Sequence, residues 1–87
     1  MLTRKEMEDV RSYLMKETRV WGGNISVYEN GRFEIRDLTE YEVNSIYSSL
    51  MRNCKVHNLY RTHKFSFNQF DYLGRPKVKY TIMGDWE

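Results

Sequence analysis

Alanine is missing from this 87-residue chain, and proline and cysteine occur once each. No apolar run approaches the roughly 20 residues that a membrane-crossing helix needs. Each absence removes something. The lone Cys54 has no partner for an internal disulfide, which fits a reducing compartment. The charged stretch from Met1 to Glu17 lacks the apolar middle of a secretory signal, so the expected location is cytoplasmic. With one proline, no low-complexity run and no linker, residues 1–87 read as a single domain with one modest core. Its only Gly-Gly, in Trp21-Gly22-Gly23-Asn24, precedes a strand rather than a helix, so it is not a phosphate-binding loop.

Zinc and nucleophilic chemistry fare no better. Cys54 and His57 stand at C-x-x-H spacing and His63 follows, but a fourth ligand and a second cysteine pair are lacking. A cysteine at the end of an amphipathic stripe reads as a small apolar group before it reads as a nucleophile. The carboxylates gather as Glu6, Glu8 and Asp9 and as Asp37, Glu40 and Glu42, at helix starts, where they complement the backbone dipole. The chain therefore reads as non-enzymatic, with no metal and no cofactor.

Aromatic residues are abundant instead, at 15% of the chain and including seven tyrosines. A domain this small cannot hide them all, and exposed aromatics among arginines are the material of protein interfaces. The net charge of +2 conceals a division: residues 1–43 hold seven Lys or Arg against nine Asp or Glu, and residues 44–87 hold seven against three. A basic face in the second half is expected.

The best-defined element runs from Leu38 to Cys54. Thr39 and Glu42 have the spacing of a capping box, and Leu38 and Val43 that of a hydrophobic staple. Val43, Ile46, Tyr47 and Leu50 then line one face of a helix. Burying each large apolar side chain there is worth roughly 1.5–3 kcal/mol, more than propensity offers a segment carrying Asn44, Ser45, Ser48 and Ser49. The same logic recurs from Leu2 to Lys16, with Thr3 and Glu6 as the box and Met7, Val10 and Leu14 as the stripe.

Gly22-Gly23 then reads as a helix stop and turn, followed by a hairpin over Ile25 to Arg36. A three-residue loop, Glu29-Asn30-Gly31 with Gly31 left-handed, pairs Val27 with Phe33 and Ile25 with Ile35, keeping the apolar residues on one face. A second, longer hairpin spans about Leu59 to Met83. His63, Phe65 and Phe67 alternate on one arm and Val78, Tyr80 and Ile82 on the other, the mark of one buried face. Lys64, Ser66, Asn68, Lys77, Lys79 and Thr81 take the opposite face, and residues 71–76 form the loop. Trp86, near the end, is expected to find cover. The fold class is thus α+β: a two-layer sandwich in αββαββ order, with a four-stranded antiparallel sheet whose other face is partly open. A homodimer joined through an edge strand or through that face fits the same pattern.

Two functional readings follow. Tyr28, Tyr41, Tyr72, Trp86 and Met51, interspersed with Arg11, Arg32, Arg61 and Arg75, suit a protein-binding surface. The alternative is single-stranded nucleic-acid binding, in which Lys64, Lys77 and Lys79 follow phosphates while Phe70 and Tyr72 stack on bases, diluted by Asp71 and Glu87.

The run Val-Tyr-Glu-Asn-Gly-Arg-Phe-Glu-Ile, followed at once by Leu-Thr-Glu-Tyr-Glu-Val-Asn-Ser-Ile-Tyr-Ser-Ser-Leu, together with the shortage of Ala and Pro, resembles in style the small accessory proteins of bacteriophages. That resemblance covers about a third of the chain and carries no site residue. It implies a non-enzymatic protein in the host cytoplasm, often a homodimer, that binds and inhibits a host complex for defence, transcription or replication.

Overall fold

Helix α1, Arg4–Thr18, and helix α2, Glu40–Asn53, each begin at a threonine whose hydroxyl and backbone are both engaged. At α2 the Thr39 hydroxyl accepts from the Glu42 amide (3.2 Å) and the Glu42 carboxylate accepts from the Thr39 amide (3.0 Å). At α1, Thr3 and Glu6 do the same at 3.1 and 3.0 Å. Both capping boxes satisfy amides that a helix leaves without partners. The computed structural model describes residues 1–86. Glu87, expected to dilute the basic face, lies outside the described residues.

The strands are β1, Ile25–Val27; β2, Arg32–Leu38; β3, Val56–Phe70; and β4, Pro76–Trp86. They form one antiparallel sheet in the order β1-β2-β4-β3. The protein is α+β, with two helices and a four-stranded antiparallel sheet. Val10 and Leu14 of α1 and Val43, Ile46 and Leu50 of α2 close over Ile25, Phe33, Ile35, Leu38 and Ile82, so one core lies between the helices and one face of the sheet. The first hairpin has the expected register, Ile25 opposite Ile35 and Val27 opposite Phe33, with Gly31 at φ 89°. Trp86 is partly covered and meets the Tyr13 ring edge-on at 5.5 Å.

Two expectations are corrected. The first helix stops not at Gly22-Gly23 but at Arg19, which takes the left-handed conformation (φ 59°) and donates its amide to the Met15 carbonyl at 2.8 Å. Thr18 supports this stop, its hydroxyl donating to the Leu14 carbonyl at 2.6 Å and accepting from the Val20 amide at 3.3 Å. Gly22–Asn24 forms a short 3-10 turn instead, and the Gly22 carbonyl accepts from Nη2 of Arg11 at 2.6 Å.

The second correction concerns the long hairpin. Of the apolar residues that alternate along it, only Ile82 is fully buried, while Phe65 is 48% and Phe67 76% exposed. The reason is strand length. β2 ends at Leu38, opposite Tyr80, and α2 begins two residues later. Residues 64–79 therefore run on past the core as a two-stranded arm, which fits the elongated 44 × 24 × 21 Å molecule. At about 3.3 Å per residue, the β3 side of the arm extends about 20 Å.

Candidate functional site

The arm has two unlike faces and an ordered tip. Register decides the faces: Phe65 stands opposite Val78 and His63 opposite Tyr80, in phase with buried Ile82, so these side chains occupy the helix side. His63 meets the Phe65 ring edge-on at 5.6 Å, and Phe65 and Phe67 lie 6.3 Å apart. A groove of about 650 Å³ separates this aromatic row from the start of α2, lined by Thr39, Glu40, Phe65, Val78 and Tyr80 among others. On the other side Lys64 stands directly opposite Lys79, and Lys77 is opposite Ser66. All three lysines are exposed, and Asp37 borders the same surface.

At the tip a single carboxylate organises the loop. Oδ1 of Asp71 accepts from the amides of Leu73 (2.9 Å) and Arg75 (3.0 Å), and Oδ2 accepts from Nε of Arg75 (3.2 Å). The Asp71 amide donates to the Arg75 carbonyl at 2.9 Å, and the Gly74 amide donates to the Asp71 carbonyl at 3.0 Å. Gly74 sits at φ 76°, where a side chain would be strained. These bonds, the one from the Arg75 backbone foremost, hold the Asp71 carboxyl below the usual carboxylate range. The turn so fixed leaves Tyr72 93% and Leu73 57% exposed, with Phe70 also in solvent at its base.

The residues expected to bind a partner do not form one site. Phe70, Tyr72, Arg75, Lys64, Lys77 and Lys79 share the arm. Arg61 is on the helix side, where its guanidinium donates to Oδ1 of Asn44 at 2.7 Å and lies 4.7 Å from the centre of the Tyr47 ring. Tyr28 and Arg32 belong to the far end of the sheet: Arg32 pairs with Asp85, while Phe70 pairs with Pro76, about 30 Å along β4. Arg32 donates to the Tyr60 hydroxyl and lies over its ring. Leu73, Phe65, Phe67 and the largely exposed Trp21 escaped the sequence reading. The alternation in β3 and β4 outruns the length of β2, and that mismatch was the available signal for Phe65 and Phe67.

Cys54 is half-buried at the end of α2. Burial pushes its thiol pKa up, a hydrogen bond from Tyr13 pulls it down, and Glu17 adds to the rise. His57 pairs with Asp85 and His63 with Tyr80, which separates the two imidazoles by roughly 20 Å along β3. Among the described residues no three His, Cys, Asp or Glu side chains converge as a metal site requires. Among the described residues no helix is long and apolar enough to cross a membrane. The chain matches no protein-family model, no curated protein and no solved structure.

Proposed function

We propose that this chain is a non-enzymatic protein-binding module that uses the tip of its hairpin arm to occlude a surface on a partner, in the manner of a small phage accessory protein inhibiting a host complex for defence, transcription or replication. One observation carries the reading: Tyr72 and Leu73 stand in solvent on a turn whose backbone is fastened by Asp71. Exposed apolar side chains on a loop already ordered lose little entropy on binding, which is how a few residues come to supply most of the affinity of an interface. The helix-and-sheet body, in αββαββ order, serves as the support that holds the arm out. The acting location is the cytoplasm, the host's if the chain is phage-encoded.

The test compares capture from a host lysate by the parent chain and by a Tyr72→Ala, Leu73→Ser variant. A partner retained by the parent and lost by the variant, with circular dichroism unchanged, is the expected outcome. Equal recovery by both removes the tip from the interface and ends this reading.

A second reading, single-stranded nucleic-acid binding, has one observation in its favour. Lys64 opposite Lys79 is a like-charge cross-strand pair, which costs stability in the free protein and is relieved by a phosphate backbone. If it is right, oligonucleotide binding weakens steeply from low to physiological salt, and Lys77→Glu with Lys79→Glu abolishes it. No retention in a gel shift at low salt eliminates it.

A further inference from the structure

β3 is an edge strand along its whole length: β4 pairs with one side, and no strand among the described residues pairs with the other. Irregularities bracket its middle, one between His57 and Tyr60 and one between Ser66 and Phe70, but from Tyr60 to Ser66 it matches β4 residue for residue. An unbroken free edge beside an uncovered aromatic row is a surface that pairs readily with another strand. We infer that two copies of this chain join β3 to β3, antiparallel, about a twofold axis through Phe65.

Geometry narrows the choices to a few. A twofold that joins two copies of one edge stands perpendicular to the sheet and passes through a residue, so both helical layers end on the same side. Through Phe65, the ring of one copy meets that of the other, His63 faces the second copy's Phe67, and Lys64 faces the second copy's Ser66. The aromatic row of each arm then continues into that of its mate. An axis through Lys64 would instead align Lys79, Lys64 and their counterparts, four ammonium groups in one row. An axis through His63 would turn Arg61, already held by Asn44 and Tyr47, toward Phe65.

Area favours this arrangement, and charge opposes it only weakly. Phe65 and Phe67 of both copies contribute about 500 Å² from their exposed fractions, and the pairing of residues 64–66 with the edge side chains that flank it adds toward the ~1,000 Å² of a stable interface. Residues 60–70 hold Arg61 and Lys64 and no carboxylate, so the two edges repel weakly. Screening that repulsion strengthens the dimer as salt rises, the opposite of nucleic-acid binding. The pairing leaves Tyr72 and Leu73 outside and does not depend on what the tip binds.

Sedimentation at micromolar concentration is expected to give twice the 10.6 kDa chain mass. Phe65→Glu is expected to raise the dimer dissociation constant by roughly 30-fold or more, the size of a central-anchor loss, with unchanged circular dichroism. In a Cys54→Ser background, a mixture of Lys64→Cys and Ser66→Cys chains is expected to cross-link on oxidation, while either alone does so far less. A single-chain mass for the parent, or a dimer that Phe65→Glu leaves intact, overturns the proposal, and so does Lys64→Cys linking chiefly to itself. Partner capture by a monomeric parent would leave the function of the tip standing while this inference fell.

Discussion

Gly84 faces Phe33 across β2 and β4 so closely that a methyl group there would press on the ring. A Cβ at Gly84 would lie 3.0 Å from Cζ of Phe33 and 3.0 Å from Cδ1 of Leu59. Phe33 is completely buried, so its ring has nowhere to retreat, and the close approach lets it fill the core under the sheet.

Gly84→Ala is therefore expected to destabilise the protein despite alanine's smaller backbone entropy cost. Overpacking of this kind costs typically about 1–3 kcal/mol. Gly84→Ala belongs at the low end and Gly84→Val at the high end, both read as a lower urea midpoint at unchanged slope. An alanine variant as stable as the parent would mean that Leu59, which is only partly buried, moves aside.

Asp37 sets the phase of β2. Between Ile35 opposite Ile82 and Leu38 opposite Tyr80, β2 uses one residue more than β4, and Asp37 occupies the bulge at φ 60°. Were β2 regular through Asp37, Leu38, three residues beyond Ile35, would fall on the face opposite Phe33 and Ile35 and leave the core it now completes. Asp37→Val is expected to cost about 1–2 kcal/mol, because a β-branched side chain resists the left-handed region. Asp37→Gly, free of that restriction, should stay within about 0.5 kcal/mol of the parent. Deleting Asp37 brings the leucine to two residues after Ile35, on the core face of a regular strand, so the deletion variant should still melt cooperatively. A deletion variant with no cooperative transition would show that the bulge does more than set the phase of Leu38.

Both helices and the first hairpin were legible because each rests on local chemistry. Thr39 with Glu42 fixes one helix start, Thr3 with Glu6 the other, and Gly31 at positive φ fixes the hairpin register. The end of α1 was not legible, since a left-handed Arg19 closes the helix through its amide on the Met15 carbonyl, with the Thr18 hydroxyl taking the next amide, and the glycines that advertise a stop play no part. The alternation from His63 to Phe67 correctly marked one face, but periodicity does not say whether anything lies beneath it. That depended on where β2 and α2 end relative to β4, a tertiary fact. In the candidate site, Tyr72 and the lysines could be named from composition, whereas the role of Asp71 could not. A carboxylate in a polar loop looks like dilution of positive charge until its bonds to Leu73 and Arg75 are known.

Those bonds make the order of the arm tip depend on pH. The Asp71 carboxyl is held below its ordinary value, first by the Arg75 backbone amide, so the folded loop favours the charged form. A lowered carboxyl pKa contributes stability that is present above the ordinary value of about 3.9 and is lost as pH falls through the lower, folded value. The amides of Leu73 and Arg75 should therefore keep their protection from hydrogen exchange at neutral pH and lose it together below about pH 4. Asp71→Asn should weaken that protection already at neutral pH, abolish its pH dependence, and lower partner capture with little change in global stability, because the arm projects beyond the core. Protection that persists unchanged well below pH 4 in the parent would show that Gly74 and the paired strands order the tip without help from the carboxylate.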